Sequence, residues 1–182
     1  MKNLPTLITY SRFIFAILVA ILLCFNSDIL ILLAVFFFVI GALSDALDGK
    51  LARRQKKPSK FGAFLDPIAD KFLVFIVLVS LTFNRDSVAL FILSLIIISR
   101  EIIVMSLREW MASTNNKEVV EVSNLGKYKT IIQMSGISLV IGSPLVENYY
   151  YGEISLSILL LGALMGVLSG FSYLKKSYKY LF

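Results

Sequence analysis

The chain has 182 residues, 58% of them hydrophobic and only 16% charged, with a mean hydropathy of +0.83. A soluble domain carries roughly 45–50% apolar residues, so the composition points to an integral membrane protein with no sizeable soluble domain. There is no histidine and a single cysteine, Cys24, which excludes serine–histidine and cysteine–histidine catalysis, histidine-ligated zinc or haem, and an internal disulfide.

In chain order, six apolar blocks predict helices over 8–25, 29–50, 66–83, 88–110, 126–146 and 154–174. Each is close to the roughly 20 residues that span a bilayer. Lys2 and Arg12 flank an ordinary first span, and no amino-terminal transit peptide is expected. Asn26-Ser27-Asp28 divides the first two segments as a tight turn. A basic loop over 51–65 follows the second, Asn84-Arg85-Asp86 the third, and a polar stretch over 112–125 the fourth. The reading is one domain, 1–182, an all-α integral membrane bundle of six transmembrane helices.

With both termini inside, seventeen of the eighteen lysines and arginines fall on the inner side and only Arg85 on the outer. That asymmetry predicts cytoplasmic termini. The net charge of +6 therefore reports topology, and no nucleic-acid partner is expected.

The most charged stretch is Ser44 to Lys71. Asp45 and Asp48 are three apart, near the cytoplasmic end of the second segment. With Gly49, Ala52 and Arg53 they share a face about 140° wide. Gly62, Asp66 and Asp70 are each four apart and form one stripe on the third segment. One such acid is readily explained by a neighbouring lysine or arginine. Four on two facing stripes would repel one another unless cations sit among them. Two divalent cations would relieve the repulsion and would also grip a diphosphate. Mg²⁺ suits carboxylate oxygens, and Mn²⁺ accepts the same ligands. Arg53 supplies a rigid donor fork for phosphate oxygens, while the small Gly49, Ala52 and Gly62 admit a ligand or a neighbouring helix.

The pattern D-x2-D-G-x2-A-R-x8-G-x3-D-x3-D runs from Asp45 to Asp70 and fixes eight positions in twenty-six residues. It resembles the signature of the CDP-alcohol phosphotransferases, whose fold also has six transmembrane helices. The resemblance implies transfer of a phosphatidyl or similar group from a CDP-linked alcohol to a hydroxyl, with release of CMP. It implies Asp45, Asp48 and Asp66 as metal ligands, and Asp70 as general base that also touches the second metal. Gly49, Ala52, Arg53 and Ser59 would hold the CDP-lipid, with Pro5, Thr6 and Thr9 bordering the nucleotide. A homodimer in a bacterial inner membrane, its site facing the cytoplasm, belongs to the same expectation.

Arg100 and Arg108 on the fourth segment, and Lys127 and Lys129 at the start of the fifth, are open to two readings on spacing. They are acceptor-binding cations, or helix-end anchors and intrahelical pairs such as Glu101 with Arg108. The stretches Arg100 to Ala112, Val122 to Thr130 and Phe61 to Lys71 resemble the phosphatidylglycerophosphate-forming branch of the family. That resemblance implies CDP-diacylglycerol as lipid donor and sn-glycerol 3-phosphate as acceptor. Arg100, Arg108, Lys127 and Lys129, with Lys60 as a further candidate, would then meet the acceptor phosphate. The alternatives are a sister enzyme using serine, inositol phosphate or phosphatidylglycerol, a membrane prenyltransferase, and a divalent-cation carrier. A carrier needs acids near the midplane, whereas these lie at one edge.

Overall fold

The computed structural model describes residues 4–25, 27–54, 60–114 and 124–180; side chains at 4–9, 45–54, 60–64, 66, 124–125, 127, 149 and 179 lie outside that description. The helices are α1 (Leu4–Leu23), α2 (Asp28–Arg54), α3 (Lys60–Asn84), α4 (Val88–Ser113), α5 (Asn124–Gly142) and α6 (Tyr149–Ser177). Short 3-10 turns follow α5 at Ser143–Leu145 and α6 at Tyr178–Tyr180. No strand occurs among the described residues.

All six expected helices are present, and their ends differ where charge or proline decides. The basic stretch 51–65 is mostly helical. Leu51 to Arg54 complete α2, Lys60 opens α3, and only 55–59 separate the two. Leucine, alanine and arginine are strong helix formers, and arginines in a last turn favour the negative end of the helix dipole. α5 stops at Gly142 rather than 146, because Pro144 lacks the N–H that would continue it and the chain tightens into a 3-10 turn. α4 begins where Ser87 Oγ accepts the Leu90 N–H at 3.3 Å, a side-chain cap.

Three helices among the described residues are long and apolar enough to cross a membrane: Pro67–Asn84, Val88–Ser113 and Tyr150–Ser177. Tyr10–Leu23 and Asp28–Ser44 are shorter apolar helices. The chain is an all-helical membrane protein. Its outward faces agree, since Ile14, Ile17 and Ile21 on α1 and Phe83 on α3 are all more than half exposed.

The chain divides into two compact units. The first comprises Met1–Asp86 and Ser138–Asn148. In it α1 packs along both α2 and α3, which touch each other far less among the described residues. Arg12, Ala16, Val19 and Leu23 recur at intervals of four, three and four, so one stripe of α1 is buried. Ile31, Ala34, Phe38 and Ser44 answer from α2, and Ala69, Leu73, Val77 and Leu81 from α3. Phe13 and Phe72 meet with ring centroids 5.0 Å apart.

The second unit comprises Ser87–Ile137 and Tyr149–Phe182. α4 buries Leu90, Leu93, Ile97, Glu101, Val104, Leu107 and Met111, and Val104, Leu107 and Met111 form a core with Tyr173 of α6. α5 and α6 approach at two glycines. A Cβ on Gly136 would lie 2.8 Å from the Leu159 backbone, and one on Gly162 2.9 Å from Gln133 Cα. Only hydrogen fits there.

Candidate active site

In the first unit the eight positions of the acidic pattern all lie on helix. Asp45, Asp48, Gly49, Ala52 and Arg53 occupy the last turns of α2, and Gly62, Asp66 and Asp70 the first turns of α3. Ala52, Arg53 and Gly62 lie on helix, as their expected helical faces require, although the hydropathy bounds end the two segments at 50 and 66. The side chains of Asp45, Asp48, Ala52, Arg53, Asp66 and Lys60 lie outside the described set, as do Pro5, Thr6 and Thr9 on the first turns of α1; Ser59 lies outside the described residues altogether. Pro5 is the second residue of α1, where a missing N–H costs nothing.

Asp70 is described, and it does not stand alone. Its Oδ1 accepts a hydrogen bond from Arg12 Nη1 at 2.8 Å, and its side chain keeps 30% of its surface accessible. Arg12 is fully buried. Its Nε donates to Ser44 Oγ at 3.3 Å, and that hydroxyl donates to the Gly41 carbonyl at 2.7 Å. One guanidinium therefore links α1 to the acid of α3 and to α2. A buried arginine needs such partners, because an unpaired charge in a low-dielectric interior is costly. Ala69 and Leu73, at 0% and 1% exposure, clamp the α3 backbone on either side of Asp70.

Reasoning from sequence alone counts Arg12 as a topology charge and misses this contact. The available signal is that it is the single charged residue of α1, nine residues into an otherwise uncharged helix. Ionisable groups inside apolar spans are functional by default.

In the second unit the predicted acceptor cations separate into two groups. Arg100 is committed on three sides, with Nε donating to the Gly166 carbonyl (2.9 Å), Nη2 to Ser169 Oγ (2.6 Å) and Nη1 to Glu101 Oε1 (2.9 Å). Glu101 Oε1 also takes the Lys129 ammonium. The three side chains are 13%, 8% and 5% accessible, so this is an interior network of two cations and one carboxylate. Glycines on α6 make room for it: a Cβ at Gly166 would sit 3.4 Å from Lys129 Cε, and one at Gly170 3.6 Å from Arg100 Cγ. The Glu101 pairing is therefore with Arg100 and Lys129, rather than with Arg108.

Arg108 lies two turns further along α4. Its guanidinium carbon stands 5.0 Å from the Tyr173 ring centroid, and Nη2 donates to Tyr173 Oη at 3.2 Å. Its buried Nε has no hydrogen-bond partner among the described residues. Stacking fixes the plane of the fork while leaving donor capacity unused. The side chain of Lys127 lies outside the described set.

A divalent cation can be tested against the donor set. The four acids offer only hard carboxylate oxygens, the ligand type that Mg²⁺ and Mn²⁺ take. Among the described residues no group of three potential ligands occurs, three of the four acids having undescribed side chains. The donor chemistry fits.

Residues 2–168 match the family model described as CDP-alcohol phosphatidyltransferase. A protein of Haemophilus influenzae named CDP-diacylglycerol–glycerol-3-phosphate 3-phosphatidyltransferase is 39% identical over 176 residues, covering 95% of this chain and 92% of its own. Proteins of the same name from Shigella flexneri and Salmonella choleraesuis are each 37% identical. The first covers 94% of this chain and 93% of its own length, and the second 82% of each.

Proposed function

We propose that this chain, which belongs to the CDP-alcohol phosphatidyltransferase family, moves the phosphatidyl group of CDP-diacylglycerol onto sn-glycerol 3-phosphate. The products are phosphatidylglycerol phosphate and CMP. The observation that carries this reading is the likeness to relatives of that activity over nearly the whole length of both chains. The intact acidic pattern on α2 and α3 supports it.

In this reaction a hydroxyl oxygen of the acceptor attacks the phosphorus that bears the lipid. The bond from that phosphorus to the bridging oxygen breaks, and CMP leaves with the electron pair. Asp70 takes the hydroxyl proton, a role for which a partly accessible carboxylate on a packed helix is suited. Gly49, Ala52, Arg53 and Ser59, with Pro5, Thr6 and Thr9, hold the CDP portion. Two divalent cations, Mg²⁺ first and Mn²⁺ as substitute, belong to Asp45, Asp48, Asp66 and Asp70. Bound there, they would offset the negative charge of the diphosphate and of departing CMP.

Of the acceptor cations we assign Arg108 first, because its buried Nε has no partner among the described residues and an arginine fork suits a phosphate. Lys127 and Lys60 remain candidates, whereas Arg100 and Lys129 are held in the Glu101 network and act on the acceptor through its field. The reading includes six spans with both termini in the cytoplasm of a bacterial cell, a site on the cytoplasmic face of the inner membrane, and a homodimer.

An acceptor screen on purified protein tests the reaction. CMP release is expected only with CDP-diacylglycerol, sn-glycerol 3-phosphate and Mg²⁺ together, and is expected to stop on chelation. Release with serine, inositol phosphate or phosphatidylglycerol in place of glycerol phosphate would overturn the choice of acceptor.

A further inference from the structure

We infer that Arg12 is a positioning residue for phosphatidyl transfer, acting through Asp70; this rests on the reading of Asp70 as the general base. Arg12 is fully buried, yet it is the one charge on α1. Stability gives no reason to keep it. A buried ion pair is commonly matched or bettered by well-packed apolar side chains of similar volume. Its contacts, however, are directional. Nη1 meets Asp70 Oδ1 at 2.8 Å, and Nε meets Ser44 Oγ at 3.3 Å, with Ser44 tied back to the Gly41 carbonyl at 2.7 Å.

The planar fork thus registers one carboxylate of α3 against the backbone of α2, with α1 packed along both helices. Lysine, a point charge on a flexible stem, cannot hold both directions at once. Placement matters for a base because proton transfer needs hydrogen-bond reach, and a displacement of 1 Å costs roughly 10²-fold in rate.

The test uses the full-length enzyme and separates turnover from binding. Arg12→Gln is expected to lower kcat about 10²-fold while leaving KM for CDP-diacylglycerol within about threefold of the parent. Arg12→Lys, which keeps the charge and loses the fork, is expected to recover part of that loss, and Ser44→Ala to show a smaller loss of the same kind. Asp70→Asn should lower turnover by about 10³-fold or more, to a small measurable rate, and retain CDP-lipid binding. In that background Arg12→Gln should add no further loss, since the two residues act as one unit.

Additive losses in the double variant would overturn the positioning role while leaving Asp70 as base. So would an unchanged kcat in folded Arg12→Lys and Ser44→Ala proteins, the outcome for a contact that serves stability alone. Substantial turnover by Asp70→Asn would instead remove the base assignment itself. Should Arg12→Gln fail to fold, Arg12→Lys and Ser44→Ala carry the decision.

Discussion

Glu101→Gln probes the interior network of the second unit. In the parent one carboxylate pairs with two cations, and all three side chains are at most 13% accessible. The substitution keeps the shape and one acceptor oxygen but deletes the charge. Breaking a buried pair by removing one partner costs about 3–5 kcal/mol, and the retained amide oxygen places this change near the lower end. For a protein of this size each kcal/mol moves Tm by about 2–4 °C, so a loss of roughly 6–12 °C is expected. The assay is thermal unfolding of purified protein in one detergent, followed by intrinsic fluorescence of Trp110, which packs on the core beside the network. A second variant sharpens the reasoning. Lys129→Met added to Glu101→Gln removes one of the two cations that faced the carboxylate and should recover part of the lost Tm. A Glu101→Gln protein melting within 1 °C of the parent, or a double variant less stable than the single, would refute the account of a buried counter-ion.

Arg108→Ala should raise KM for sn-glycerol 3-phosphate about 10- to 100-fold, the equivalent of roughly 1.5–3 kcal/mol for hydrogen bonds to a charged group. KM for CDP-diacylglycerol should stay near the parent value, and steady-state kinetics with each substrate varied separately checks both. Gly162→Ala places a methyl 2.9 Å from Gln133 Cα, where backbone cannot yield. Overpacking of this kind costs about 1–3 kcal/mol, which thermal unfolding should register as a drop of several degrees.

The fold was largely legible because bilayer-length apolar blocks are a strong one-dimensional signal. All six blocks became helices, and the breaks at Ser27 and at Arg85 and Asp86 fell where polar residues interrupt them. Leu51 to Arg54 and Lys60 to Leu65 were harder. Hydropathy ends a segment where charge begins, but a helix continues wherever its backbone bonds and residue propensities allow. The acids of the candidate site are equally plain as a pattern, since their spacing is fixed in the sequence and all four positions lie on α2 and α3.

The partners of those acids were not. Arg12 and Asp70 are 58 residues apart, and nothing in local spacing joins them. Arg100, Arg108 and Lys129 looked alike as cations near one end of the bundle. Their roles divide only through three-dimensional partners, with Glu101, Gly166 and Ser169 occupying Arg100 and a tyrosine ring beneath Arg108. Chain order also suggests that α2 and α3 are each other's main neighbours. The packing of α1 along both is a tertiary fact that periodicity does not carry.

The same arginine sets a condition on how the protein is made. α1 is made before α2 and α3, and a lone arginine in an apolar helix would cost about 2.5–3.5 kcal/mol to place in a bilayer on insertion scales. The acid that offsets this charge is encoded 58 residues later. At about 5–20 residues per second, several seconds pass before Asp70 is synthesised. During that interval the Arg12 guanidinium lacks its Asp70 contact, and only the apolar run from Phe13 to Leu23 favours burial of α1. The burial of α1 is thereby tied to the arrival of α3.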